Sequence, residues 1–245
     1  MSGKLYLLTT PIGNLDDMTF RAVKTLQEAT LVAAEDTRRA LKLLNHFDVK
    51  VAVTSFHMHN ERGKTSYILD KVDAGEIVVV LSDAGTPAIA DPGFYIVREA
   101  INRSIEPIVI PGVSALTFAA VAAGLPVDQF TFAGFLPVKK GKRQKVLEKM
   151  RDIGLTCFIF ESPYKIAKLL TEIETVCGPD VEISLVREAT KIYEETIRGK
   201  VGELAQEFID RNWKGELVVA IDMKTAMTPE VTEEEAPKKK RRRNQ

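Results

Sequence analysis

The sequence predicts an α/β protein of two domains, with a mostly parallel sheet in the N-terminal half and a mixed sheet in the C-terminal half. Three observations carry this. Short apolar runs alternate with amphipathic stretches from Lys4 to Ala123, the pattern of strands joined by crossover helices. The alternation breaks between Gly124 and Lys142, where Pro126, Gly134, Pro137 and Gly141 punctuate the chain. Further on, two strand-like stretches follow one another around Arg187–Glu194 with no helix between them, which suggests a mixed sheet. The domains are therefore placed at 1–125 and 126–224, with a charged tail over 225–245.

In the first half, Lys4–Thr9 (KLYLLT) reads as a buried strand. Thr19–Ala29 reads as a helix with Phe20, Val23 and Leu26 on one stripe. Leu31–Ala34 is a short strand, Thr37–His46 a helix and Val51–Ser55 a strand. A polar helix covers about Asn60–Val72. Ile77–Leu81 (IVVVL) is continuously apolar, as a strand buried on both faces must be. Helix Gly93–Arg103, strand Pro107–Ile110 and helix Val113–Ala123 follow. The second half reads as helix Arg143–Asp152, strand Thr156–Phe160, helix Pro163–Val176, strands Val181–Val186 and Ile192–Arg198, helix Val201–Ile209 and strand Glu216–Asp222. Met227–Gln245 is blocked into charges and is expected to be disordered.

The chain has 245 residues, 45% of them hydrophobic, and a formal net charge of zero. That zero hides an asymmetry. From Thr225 onward there are four glutamates and six lysines or arginines, so the tail carries +2 and the body −2. Such a body is no bulk polyanion binder, and nucleic acid must be met by local patches or the tail. Val138–Lys145 (VKKGKRQK) is one basic run suited to phosphate contacts, or else a solvated face. Cys157 and Cys177 make no disulfide framework and no C-x-x-C pair, and are expected as buried apolar residues. Leu5–Thr9 is too short for a signal-peptide core, and no apolar run approaches ~18 residues. A cytoplasmic chain without a membrane span is expected.

Ligands of open α/β sheets bind beyond the carboxyl ends of the strands, and three unusual segments fall there. Thr9–Asp17 (TTPIGNLDD) brings Pro11 and Gly13 into a tight turn, with Pro11, Ile12 and Gly13 as ligand-facing candidates; the alternative is an ordinary loop capped by Asp17. Ser82–Gly93 (SDAGTPAIADPG) is long and rigid, and its small side chains leave backbone exposed beside the Asp83 carboxylate. Asp83, Ala84, Gly85, Ala88 and Ile89 are its candidates; a structural loop with Asp91 as helix cap is the alternative. Pro111–Ala115 (PGVSA) offers Ser114, Ala115 and the start of a helix to a carboxylate, or is a plain glycine turn with a serine cap.

Several chemistries lack their parts. There is no G-x-G-x-x-G, no G-K-[ST] after a glycine-rich turn, no G-x-S-x-G elbow and no Cys/His dyad in reach. His57, His59 and Glu61 make only a weak zinc pattern with no second ligand cluster, so no metal is expected.

Taken in order, TPIGNLDD, EDTR (Glu35–Arg38), HNE (His59–Glu61), SDAGTPAIADPG, PGVSA, GFLP (Gly134–Pro137), ESP (Glu161–Pro163), Thr190–Lys191 with Glu194 and Glu195, and KGE (Lys214–Glu216) resemble the bacterial 16S ribosomal RNA cytidine 2′-O-methyltransferases of the tetrapyrrole-methylase superfamily. The match spans about Lys4–Asp222. It implies a tetrapyrrole-methylase-like fold, S-adenosylmethionine bound in the cleft between two domains, no metal, and a homodimer. It implies 2′-O-methylation of a cytidine in the decoding centre of the small ribosomal subunit. Phe160, Glu161 and Ser162 join the donor-site candidates. Glu35, Arg38, Glu61, Lys165 and Lys191 are the candidates for the chemistry, with Glu35, Arg38 and Glu61 shaping the RNA side; a solvated face or a salt bridge is the alternative for each. Two departures stand out: Tyr164-Lys165 where such enzymes often carry His-Arg, and Ala189 where they often carry Leu. The first removes a possible proton acceptor and argues against histidine as a required base. Two rivals stay open. One is a tetrapyrrole methyltransferase, although the G-x-G-P-G-D turn usual there is replaced by TPIGN. The other is a non-catalytic RNA-binding relative.

Overall fold

The computed structural model describes residues 3–209, 211 and 214–226. Its first sheet contains β1 (Lys4–Leu8), β2 (Leu31–Ala34), β3 (Ala52–Ser55), β4 (Ile77–Leu81) and β5 (Pro107–Ile110). The helices α1 (Phe20–Glu28), α2 (Thr37–His46), α3 (Glu61–Asp73) and α4 (Phe94–Asn102) make the crossovers. The strand order is β3-β2-β4-β1-β5 and every pairing is parallel. Alternation of side chains sends Leu5, Leu7, Val78 and Val80 to one face, against Ile68 and Leu69 of α3 and Ile96 of α4. Leu8, Val79 and Leu81 go to the other, against Leu26 of α1 and Leu44 of α2. The chain thus leaves β1 onto one face and β4 onto the opposite face. These two strands are neighbours, so the sheet has its topological switch point, and its natural ligand crevice, between them.

α5 (Ala115–Ala123) leaves this sheet and lies on a second one. That sheet is built from β6 (Phe130–Phe135), β7 (Thr156–Glu161), β8 (Glu182–Arg187), β9 (Glu195–Lys200) and β10 (Leu217–Ile221), in the order β6-β7-β10-β8-β9. β6 and β7 are parallel and the other pairs antiparallel, a mixed sheet. α6 (Lys140–Ile153), α7 (Ile166–Cys177) and α8 (Val201–Glu207) cover one face. Ala119 and Ala123 of α5 meet Phe158, Val186, Val218 and Ala220 on the other. The small alanines let α5 sit close, and Arg198 of β9 donates to the carbonyls of Ala122 and Ala123 at the helix end, where they lack intrahelical partners.

Several sequence expectations shift. α5 was grouped with residues 1–125, yet it packs on the second sheet. β6 falls in the segment expected to be a connection. Ile192–Glu194 is not strand, and β9 starts at Glu195. Thr19, not Asp17, caps α1, its hydroxyl accepting from Ala22 N. The charged tail lies outside the described residues. Cys157 and Cys177 are buried and free, and burial pushes both thiols up to about 11. No helix among the described residues is long and apolar enough to cross a membrane.

The basic run at 138–145 is divided. Lys139, Lys140, Lys142 and Lys145 are exposed, but Arg143 turns inward. Its guanidinium makes a bidentate pair with Glu172 of α7 and donates to the carbonyls of Pro137 and Val138. Arg143 is therefore no phosphate ligand; it ties α6 to α7. Glu172→Ala leaves this buried guanidinium without its counter-charge. The expected cost is about 3 kcal/mol of unfolding free energy, read from urea titration, and Arg143→Met with Glu172→Leu together should recover most of it.

Candidate functional site

The loops after β1 and β4 are sewn together at the switch point. Thr10 N donates to Gly85 O at 2.9 Å and Gly85 N to Thr10 O at 3.1 Å. The Thr9 and Thr86 hydroxyls lie 3.0 Å apart. Thr10 Oγ1 donates to Ser82 O at 3.3 Å, and Ser82 Oγ to Gly85 O at 3.1 Å. Gly85 sits at φ +81°, and a Cβ there meets only Ile12 Cγ2 at 3.7 Å. Its bare backbone therefore faces open space. Ala88 and Ala90 hold positive φ of 71° and 63°, conformations that cost alanine energy and recur at ligand sites. The far end of the loop is clamped by Glu61. This buried carboxylate accepts from Gly93 N at 2.8 Å and Tyr95 N at 3.1 Å, filling the place of a cap at the start of α4.

A cleft of about 430 Å³ opens beyond this seam, walled by both sheets. Ile12, Ile89, Phe135, Phe160, Val186 and Val218 give it apolar sides. Phe160 is stacked edge-on by Phe132 and Phe135, at 4.8 and 5.7 Å between ring centroids. Glu35, Asp83 and Asp91 gather on one side, with Arg39 bridging to Asp83 Oδ2 at 3.4 Å. Burial pushes the Asp91 carboxyl up to about 6, aided by the negative Glu35 and Asp83. Glu35 is raised too, by burial and then by Asp83. Three acids sharing one counter-cation in a half-dry cleft favour a ligand that brings positive charge.

The domains are clasped at the rim. A Cβ on Gly13 of the first loop would stand 2.4 Å from Lys191 Cγ and 2.9 Å from Thr190 Oγ1, so the turn nests under the second domain. Lys191 Nζ holds Glu188 at 2.8 Å and Glu216 at 3.0 Å.

Of the residues singled out in the sequence, Ile12, Glu35, Asp83, Ala84, Gly85, Ile89, Ser114, Ala115, Phe160, Glu161 and Ser162 line the cleft. Ser114 stands at the N-terminus of α5 without capping it through its side chain. Pro11 lines a neighbouring cavity instead. Gly13 and Lys191 form the rim clasp. Ala88 is a strained turn residue whose N donates to Pro92 O. Arg38 is 86% exposed and folds back on Asp36, while Arg39 takes the place in the cleft. Glu61 caps α4, and Lys165 is an exposed residue at the start of α7. Tyr164 is exposed and lies outside the cleft, whereas Ala189 lines it. The sequence did not single out Arg39, Thr86, Phe135 or Leu217 as ligand residues, nor did it give Asp91 or Glu216 that role by number. Phe135 and Glu216 lay within recognised motifs (GFLP and KGE). Among the described residues no group of three or more His, Cys, Asp or Glu is placed to hold a metal.

The raised Asp91 carboxyl has a stability signature. Its ordinary value is 3.8 and its folded value about 6, so between these the fold holds a proton that the unfolded chain has released. Stability then falls as pH rises through that window. Asp91→Asn removes the decline: its melting temperature relative to the parent should climb from pH 4 to pH 7, and a flat difference would mean Asp91 is not burdened by its neighbours.

Residues 4–205 match the family model described as Tetrapyrrole (Corrin/Porphyrin) Methylases. A protein from Halalkalibacterium halodurans named ribosomal RNA small subunit methyltransferase I is 42% identical over 220 residues, covering 90% of this chain and 76% of that protein. Its namesake from Thermotoga maritima is 40% identical over 222 residues, covering 91% and 99%. Among solved structures, uroporphyrin-III C-methyl transferase from Thermus thermophilus complexed with S-adenyl homocysteine superposes with a TM-score of 0.64 at 18% identity, over 90% of this chain and 98% of that one. Diphthine synthase gives 0.68 at 14% identity, over 89% and 90%. At these identities the structural likeness speaks for the fold alone. The family match and the two close relatives decide the rest: the chain belongs to the tetrapyrrole (corrin/porphyrin) methylase family, on the branch of the ribosomal RNA small subunit methyltransferase I proteins.

Proposed function

We propose that this methyltransferase uses S-adenosylmethionine to methylate the ribose 2′-hydroxyl of a cytidine in the decoding centre of 16S ribosomal RNA, with the small ribosomal subunit as its substrate. A homodimer working in the cytoplasm is part of this proposal, on the strength of the family resemblance. The observation that carries it is the 40–42% identity, over nine-tenths of the chain, to proteins named for that subunit. The cleft fits the donor's chemistry. Its acids suit a sulfonium and an ammonium, its phenylalanines a flat base, and the bare Gly85 backbone permits close approach. Asp83 and Asp91 would hold the cationic side, and Phe135 and Phe160 the apolar side.

When bound, the donor supplies an electrophilic methyl that passes to the ribose oxygen as the sulfonium becomes a neutral thioether. The chain's residues have two remaining tasks. The apolar walls align the partners and exclude water. A weakly acidic hydroxyl must also give up its proton, and Glu35, whose proton affinity is raised by burial and by Asp83, is assigned that role.

The test offers labelled donor to small subunits, naked ribosomal RNA and a tetrapyrrole, and maps the methyl. Label on a cytidine ribose of the subunit is expected; label confined to the tetrapyrrole overturns the proposal, and donor binding without transfer points to a non-catalytic relative. Glu35→Gln should slow single-turnover methylation about a hundredfold or more. It should also abolish the rise of rate with pH that accompanies ionisation of Glu35, while calorimetric donor affinity stays near the parent value.

A further inference from the structure

A second cavity of about 200 Å³ lies beside the donor cleft, with Asp83 and Arg39 in the walls of both. Pro11 and Leu15 of the first loop, Ala34 and Leu81 at the strand ends, and Ala40 and Leu43 of α2 make its lining apolar. The hydroxyls at its edge are already committed, Thr10 Oγ1 to Ser82 O and Ser82 Oγ to Gly85 O. Its mouth carries both signs of charge. Arg39 and Lys42 line it with Asp36 and Asp83, and Arg38 stands beside it. Arg39 meets Asp83 at 3.4 Å and Arg38 meets Asp36 at 2.7 Å, both through exposed guanidiniums. Such exposed pairs are weak enough for a phosphate to compete with them, and the three cations outnumber the two acids by one.

An apolar slot with a basic rim matches one flipped-out nucleotide, whose flat base seeks an apolar pocket and whose flanking phosphates seek cations. The slot has about half the volume of the donor cleft, too little for a macrocycle of four pyrroles. In a nucleotide the ribose lies between base and phosphate. A base in this slot therefore leaves its ribose at the Asp83–Arg39 partition, next to the donor cleft and Glu35. We propose that this side cavity receives the base of the target nucleotide, with Arg39, Lys42 and Arg38 on the adjoining phosphates. The proposal rests on the RNA function argued above and adds where, and by what chemistry, the RNA is held.

Two variants test it from opposite ends. Leu43→Trp fills the slot; Lys42→Glu reverses a rim charge on an exposed side chain that the fold does not need. Each should slow single-turnover methylation of small subunits by about tenfold or more, equivalent to about 1.4 kcal/mol, while calorimetric affinity for the donor is unchanged. Lys42→Ala should also reduce the slope of log affinity against log salt by about one. Parent-like methylation by both Leu43→Trp and Lys42→Glu overturns the base pocket while leaving the RNA function intact. A parent protein that binds donor but labels no small subunit overturns the function, and the pocket with it.

Discussion

The molecule turns on a pair of backbone hydrogen bonds between Thr10 and Gly85. In a parallel sheet the loops at the carboxyl edge have no mandatory partner, and adjacent loops that depart to opposite faces tend to splay. Here the loops after β1 and β4 behave as a two-residue antiparallel ladder across the gap. That ladder fixes Ile12 and Gly85 against one another and holds Asp83 where it can meet Asp36 N and Arg39. The glycine is required because the bridge is made at φ +81°. Glu61 fixes the other end of the same loop. With both ends held, the strained Ala88 and Ala90 can persist, and the wall of the cleft is set before any ligand arrives.

Electrostatics within that wall are unbalanced by design of the fold. Glu35 comes from the end of β2, Asp83 and Asp91 from the loop after β4, and Arg39 from α2. One guanidinium faces three carboxyls, and burial denies them full solvation. The imbalance appears as raised proton affinity at Glu35 and Asp91. In the function proposed above, the same imbalance would serve to attract the donor's cation and to equip Glu35 to take a proton. At the rim, Lys191 is held directly by both Glu188 and Glu216, and between α6 and α7 Arg143 is paired one to one with Glu172; these direct ion pairs hold the frame.

Much of this was legible from the residues. Periodicity gave the alternating first half, and IVVVL marked β4 as the strand buried on both sides. What escaped was set by tertiary contact. β6 (FTFAGF) is an edge strand whose pairing with β7 shifts register at Gly134, φ +61°, so its apolar alternation is interrupted among prolines and glycines. Which of two adjacent arginines enters the cleft depends on a cap: Asp36 accepts from both the backbone and the side chain of Arg38, leaving Arg39 to reach Asp83. Glu61 looked available for chemistry because nothing local shows that it caps a helix more than thirty residues away. The acid cluster likewise assembles from separate loops, and no spacing within one segment announces it.

The order of strands has a consequence for how the chain is made. β1 leaves the ribosome before the other described strands, yet its neighbours are β4 at residues 77–81 and β5 at 107–110. Neither β2 nor β3 can serve in their place, since β4 stands between β1 and β2. Leu5, Leu7 and Leu8, all buried in the finished protein, therefore wait without a partner strand until β4 at 77–81 is made, and without the second until β5 at 107–110. This interior strand, next to the centre of the first sheet, is consequently among the last to gain both neighbours, and the nascent chain carries an open hydrophobic edge through that interval. Such topologies fold slowly and depend on protection from aggregation, so the arrangement that creates the ligand crevice also sets the most vulnerable period of the protein's life.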